Sequence, residues 1–423
     1  MNIVITRGIS GGAISAIPSK SDAHRAFIAA ALSGGSVKVR LGTMTLSQDI
    51  AATLRCLRQL GCDIHDAGTG VWECAPAPCP EHPLLDCGES GSTLRFMLPV
   101  AAALGVDAEF KGGGRLPERP IADLVSLLEK HSIKFSAPKL PFAISGKLAG
   151  ERFELPGNVS SQYITGMLLA LFSSRKSGSI ELTTKLESSR YVDMTVAMLR
   201  RFGARIDRTA NGFEIGAERS TPPPRELAVE GDWSNAAAFL VSGALGGKVT
   251  VKNLAPDSLQ PDRAVVDILR NFGAQVEVDG DAVSAAPGTP QCATVDVSES
   301  PDLLPVLAVL AARSPGQSRF VNAARLRLKE SDRLSSTAQL LRAVGIAVEE
   351  KPDELDVYGG NALHGAAIDS CNDHRIVMAA TAAATLGAVP LRINGAEAID
   401  KSQPSFFSDY AELGGIIEQQ TSL

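Results

Sequence analysis

Short polar clusters, each opening an apolar run, recur six times along this chain: at Ser21, Gly91, Ser161, Ser234, Pro301 and Asp373, spaced by 70, 70, 73, 67 and 72 residues. A second series trails the first by about 40 residues. Helix-like phrases of the Leu-x-x-x-Gly kind end at Gly61, Gly203, Gly273, Gly345 and Gly414, with Ser132 in the same slot of the second copy. A repeat of this period is one supersecondary unit copied six times. Each copy predicts a first helix after the polar cluster, over 26–32, 94–104, 164–172, 236–245, 303–312 and 376–386. A short β-branched strand follows, as at 36–39, 179–182 and 248–251. A second amphipathic helix closed by glycine comes next, then a hairpin such as 274–278 turning at Asp279-Gly280. Helices alternating with strands give an α/β class.

At 423 residues the chain exceeds what one core usually supports, so two domains are expected. Residues 219–231 carry three consecutive prolines midway and read as a crossover. Six such units build either a solenoid or two closed lobes of three; in the two-lobed arrangement repeats one to three form a lobe over 19–228. Repeats four to six, with the N-terminal strand, form another over 1–18 plus 229–423. With helix N-termini facing a cleft between the lobes, their positive dipole ends would add there.

The formal net charge is −6, without the basic excess of a nucleic-acid binder. Any local gathering of Lys and Arg therefore needs a local reason. Seven cysteines, an odd number with no C-x-x-C pair, read as reduced thiols. Residues 1–7 read as a strand rather than a signal peptide. The longest apolar stretch, 376–389, is too short and alanine-rich to span a bilayer. A soluble, cytoplasmic protein is expected.

Function is carried by what stands at the helix starts. The first is Pro18-Ser19-Lys20-Ser21-Asp22-Ala23-His24-Arg25. Ser and Asp there are ordinary caps. Lys20 and Arg25 oppose the helix dipole, which makes sense if an anion sits between them. The fifth repeat echoes this with Lys329-Glu330-Ser331-Asp332-Arg333, and the sixth with Asn372-Asp373-His374-Arg375 and Asp400-Lys401-Ser402. The second supplies Gly88-Glu89-Ser90-Gly91-Ser92-Thr93-Leu94-Arg95 and a run from Gly112 to Arg119-Pro120; the third supplies Ser160-Ser161-Gln162 and Ser188. Neither glycine run has the spacing of a P-loop or a dinucleotide fingerprint. Glycine before a helix still lets backbone amides approach a phosphate.

Together these motifs, from about residue 7 to 410, resemble the 5-enolpyruvylshikimate-3-phosphate synthases of the enolpyruvyl transferase family. The resemblance implies a two-lobed inside-out α/β barrel of six βαβαββ units, three per lobe. It implies transfer of the enolpyruvyl group of phosphoenolpyruvate to the 5-hydroxyl of shikimate 3-phosphate, with no metal or organic cofactor, in a monomer. By similarity, Lys20, Ser21, Arg25, Ser160, Ser161, Gln162, Ser188, Asp302 and Lys329 hold shikimate 3-phosphate. Lys20, Gly91, Arg119, Gln162, Arg333, Arg375 and Lys401 hold phosphoenolpyruvate, where guanidinium forks match carboxylate and phosphate. Asp302 matches the base, with Glu330 and Lys20 as proton carriers, in an addition–elimination through a tetrahedral intermediate. Glu89-Ser90-Gly91-Ser92 and Ser189-Arg190 depart from the sequences of many members, so Glu89 and Arg190 stay outside this set.

Three other readings have identifiable signatures. The sibling that uses UDP-N-acetylglucosamine carries a loop cysteine at the place of Gly114. A non-enzymatic scaffold would not vary reactive residues between equivalent positions. A small-molecule kinase would need the missing phosphate loop.

Overall fold

The structure is a computed structural model that describes residues 1–420. Among the described residues the strands form six four-stranded sheets, all with the same order. In the second repeat, Leu84–Asp86 pairs in parallel with Ala108–Lys111. That strand pairs antiparallel with Phe142–Ser145, which pairs with Lys134–Phe135 at the edge.

Repeats one and four trade their entering strands. Gly12–Ser15 precedes the first repeat's helix but pairs with Val249–Lys252 of the fourth. Glu226–Ala228 precedes the fourth repeat's helix but pairs with Val37–Arg40 of the first. The N-terminal strand Asn2–Arg7 fills the last place in the sixth sheet, between Leu391–Asn394 and Ile416–Gln420. The chain divides into two compact units, one of Met1–Ile17 with the residues from Glu230 onward, the other Pro18–Val229. Each has its own hydrophobic core.

The first helices are α1 (Lys20–Ala31), α2 (Gly91–Leu104), α3 (Ser161–Ser174), α4 (Trp233–Leu245), α5 (Leu304–Ala312) and α6 (His374–Leu386). They are buried on nearly every side, which accounts for their alanine and glycine content. Second helices such as Ser189–Arg201 bury one face only. Most first helices begin two to six residues before the apolar run predicts, because the polar cluster is their first turn. Ser19, Ser90, Ser160, Asp232 and Asp373 each accept a backbone amide of that turn through the side chain. In the fifth repeat a 3-10 turn, Pro301–Leu303, leads into α5.

The repeat glycines end the second helices in left-handed backbone, with φ from 82° to 94°, and Ser132 adopts φ 77° in the same slot. The hairpin of the fourth repeat turns at Gly280-Asp281, one residue later than expected, because Asp279 still pairs with Ala282.

One close approach sets the geometry used below. Pro99, inside α2, cannot donate to the carbonyl of Arg95. At that point α3 presents Gly166, where an added Cβ would lie 2.2 Å from the Arg95 oxygen and 2.8 Å from Pro99 Cγ. The approach lets Arg95 on α2 reach Gln162 on α3. Gly166→Ala should therefore destabilise the protein by about 2 kcal/mol or more. Calorimetry reads this as a lower Tm; an unchanged Tm would argue against the close packing.

Candidate active site

In the Pro18–Val229 unit, the start of α1 places Lys20 Nζ 2.8 Å from Asp49 Oδ2, with both side chains largely buried. Arg25, one turn on, is buried. Its Nη1 donates to the Ser21 carbonyl at 2.5 Å, Nε to Thr195 at 2.8 Å and Nη2 to the Tyr191 carbonyl at 2.9 Å. Burial lowers its pKa to about 10, still charged at neutral pH. His24 beside it is driven down to about 3 by burial, Lys20 and Arg25. It is a neutral core imidazole bonded to Thr53 at 2.7 Å.

Arg119 lies against the start of α2. A Cβ on Gly91 would stand 2.6 Å from Arg119 Nη1, so only glycine admits the guanidinium there. Gln162, in the first turn of α3, accepts from Arg95 Nη1 at 2.7 Å and donates to Ser92 at 2.8 Å, which ties the starts of α2 and α3 together. Ser160 caps α3, and Ser161 opens it, buried. Ser188, also buried, holds φ 52°, a strained conformation for serine that concentrates at functional positions. Glu89 lies against the 112–114 loop: a Cβ on Gly114 would lie 2.4 Å from its Oε2.

The other unit gathers the second set around Asp302. Its Oδ1 is 2.8 Å from Arg333 Nη1 and 3.3 Å from Lys329 Nζ; its Oδ2 is 3.7 Å from Arg375 Nη2. Burial alone would raise the Asp302 pKa. Lys329, Arg333 and Arg375 more than reverse that and hold the carboxyl well below its usual range. Arg333 is itself 1% exposed and bonds Asp373, which is fully enclosed, at 2.9 Å and Glu330 at 2.6 Å. Burial disfavours its charge, but Asp373, Asp302 and Glu330 outweigh that and keep it protonated. Burial, helped by Arg333, holds the Lys329 ammonium below its ordinary range despite Asp302. Arg375 donates to the Ser234 carbonyl at 2.8 Å and to Asn235 Oδ1 at 3.0 Å. Lys401, nearly buried, donates to the Asn372 carbonyl at 2.6 Å.

The predicted residues thus fall into two groups, one in each unit. Lys20, Ser21, Arg25, Gly91, Arg119, Ser160, Ser161, Gln162 and Ser188 belong to Pro18–Val229. Asp302, Lys329, Glu330, Arg333, Arg375 and Lys401 belong to the other unit. Sequence reasoning missed Asp49, the partner of Lys20, and gave no role to Arg95 or Asp373, although both stand in motifs it singled out. Among the described residues no helix is long and apolar enough to cross a membrane.

The sequence profile of EPSP synthase (3-phosphoshikimate 1-carboxyvinyltransferase) matches residues 8–410. The chain is 40% identical to the 3-phosphoshikimate 1-carboxyvinyltransferase of Clostridium kluyveri over 96% of both chains. It is 38% identical to that of Clostridium novyi over 99% of this chain and 98% of the relative. Among solved structures, the EPSP synthase from Acinetobacter baumannii superposes with a TM-score of 0.79 at 24% identity, over 99% of this chain and 100% of that one. The enolpyruvyl transferase NikO from Streptomyces tendae superposes at 0.76 and 17% identity, over 99% and 98%. The fold is that of the enolpyruvyl transferases.

The enclosed Arg333–Asp373 pair organises the second group, so Asp373→Ala should cost about 3–5 kcal/mol of stability by leaving buried positive charge without its main partner. Urea unfolding measures this; a loss below about 1 kcal/mol would mean that the pair does not anchor the cluster.

Proposed function

The chain belongs to the EPSP synthase family, and we propose that its two groups of cationic and hydroxyl side chains serve that family's reaction. The enzyme transfers the enolpyruvyl group of phosphoenolpyruvate to the 5-hydroxyl of shikimate 3-phosphate in aromatic amino acid biosynthesis, releasing phosphate. The observation that carries the assignment of roles is Asp302, an ionised carboxylate held among three cations.

Lys20, Ser21, Arg25, Ser160, Ser161, Gln162, Ser188 and Lys329 hold shikimate 3-phosphate, with Asp302 at its 5-hydroxyl. Hydroxyls and amides at helix starts suit its phosphate. Lys20, Gly91, Gln162, Arg119, Arg333, Arg375 and Lys401 hold phosphoenolpyruvate. The contact between Gly91 and Arg119 supports this, because it sets a guanidinium fork at the start of α2.

Without substrate, Asp302 is a weak base because its cations stabilise the carboxylate. Substrate phosphates and carboxylates draw on those same cations, so binding raises its proton affinity when a base is needed. Asp302 then takes the 5-hydroxyl proton as that oxygen attacks C2 of phosphoenolpyruvate. Proton transfer at C3 is assigned to Lys20, whose ammonium, held by Asp49, gives the one proton that C3 gains, and to Glu330, held by Arg333, as the carboxylate that receives a proton when C3 gives it back. The tetrahedral intermediate loses phosphate as C3 gives that proton back, and the cations stabilise the departing charge. The reading is of a cytoplasmic monomer acting on small anions; the net charge of −6 argues against a nucleic-acid partner.

Phosphate release from phosphoenolpyruvate should require shikimate 3-phosphate and proceed with chelator present and nucleotide absent. Release only with UDP-N-acetylglucosamine would contradict the assignment. Asp302→Ala should lower kcat by roughly 100-fold or more, while KM for either substrate changes much less. Unchanged turnover would remove Asp302 from the mechanism.

A further inference from the structure

One buried carboxyl beside this cluster has no part in the mechanism above. Asp262 lies in a 3-10 turn, Pro261–Ala264, eleven residues before the repeat glycine Gly273. Asp49 stands twelve residues before Gly61, in the matching region of the first repeat. Asp49 is paired with a lysine at the start of α1. Asp262 faces the start of α4 and finds only a hydroxyl there, that of Ser234, which donates to its Oδ2. Its Oδ1 is enclosed and has no hydrogen-bond partner among the described residues, and the side chain is fully buried.

Among the described residues Asp262 is therefore a buried carboxyl without an ion-pair partner. Among the groups that act on it are Asp302 at the turn before α5, Arg375 in the first turn of α6, Asp232 at the N-cap of α4, and Ser234. Burial and the charge of Asp302 push its pKa up to about 7, with Arg375 and Ser234 pulling the other way. Ser234 links the two sides of this contest. Its hydroxyl serves Asp262 and its carbonyl accepts from Arg375, whose Nε, like Nδ2 of neighbouring Asn235, has no hydrogen-bond partner among the described residues.

We infer that Asp262 is a positioning residue for Arg375: neutral, it keeps Ser234 in place and leaves the guanidinium charge to the incoming anion, whereas ionised it competes with that anion. The inference rests on the reading that Arg375 takes phosphoenolpyruvate. The sign follows from the raised pKa. The carboxyl is neutral on the acid side of neutrality and ionises as pH rises, so anion affinity falls with rising pH.

The test is steady-state kinetics on the full-length protein from about pH 6 to about pH 9, varying phosphoenolpyruvate at saturating shikimate 3-phosphate. Asp262→Asn preserves shape and cannot ionise. The ratio of wild-type KM to D262N KM should climb from near one at the acid end to roughly fivefold at the alkaline end. Ionisation of the substrate's own phosphate affects both proteins equally and cancels in that ratio. Ser234→Ala removes a hydrogen bond that favours the ionised carboxyl, so its rise in KM should shift to higher pH. A ratio independent of pH, or a pH-dependent difference confined to kcat, would overturn the inference. Absence of turnover by both proteins with this substrate pair would bring down the assignment of Arg375 as well, so the two failures are distinguishable.

Discussion

Asp302 and the three cations around it are the contact from which the rest of the chemistry is derived. A carboxylate beside Lys329, Arg333 and Arg375 is ionised and weakly basic, and the cations are partly neutralised by it. In the proposed mechanism, recognition and catalysis share this one charge balance. Anions that draw the cations away also restore the basicity of the carboxylate. Arg333 keeps the balance in register because it is tied at once to Asp373, Glu330 and Asp302, with almost no exposure to water.

The six-fold repeat provides the places where such groups stand. Each first helix is buried on nearly all sides, which leaves its start, capped by a side chain in every repeat but the fifth, as the polar end. Equivalent slots have then diverged. Near the start of the second helix, the first repeat has Asp49 with a lysine partner, the fourth has Asp262 with a hydroxyl, and the fifth has Arg333. One repeated frame thus holds an anchored ion pair, a buried carboxyl bonded to a hydroxyl, and a buried arginine tied to Asp373.

Much of this was legible before the structure. The period and the glycines that close the second helices follow from local rules of packing and backbone conformation, which sequence records directly. The exchange of entering strands between repeats one and four was not. Gly12–Ser15 and Glu226–Ala228 look like any short strand, and nothing local names the partner that a strand will choose. The candidate site residues were readable as spaced motifs, but the contacts that support them were not. Asp373 caps α6 through the amide of Arg375, so its sequence context reads as a cap and hides its bond to Arg333. Asp49 and Asp262 read as acids near a helix start, and only burial and the missing cation separate them. The left-handed backbone of Ser188 is not something serine announces.

A crystal structure with shikimate 3-phosphate and an unreactive phosphoenolpyruvate analogue tests the account most directly. The account predicts Lys329 on shikimate 3-phosphate and Arg333 and Arg375 on the analogue, with Asp302 released to within hydrogen-bond distance of the 5-hydroxyl. Ligands bound away from Asp302, with its contacts to the three cations unchanged, would contradict it.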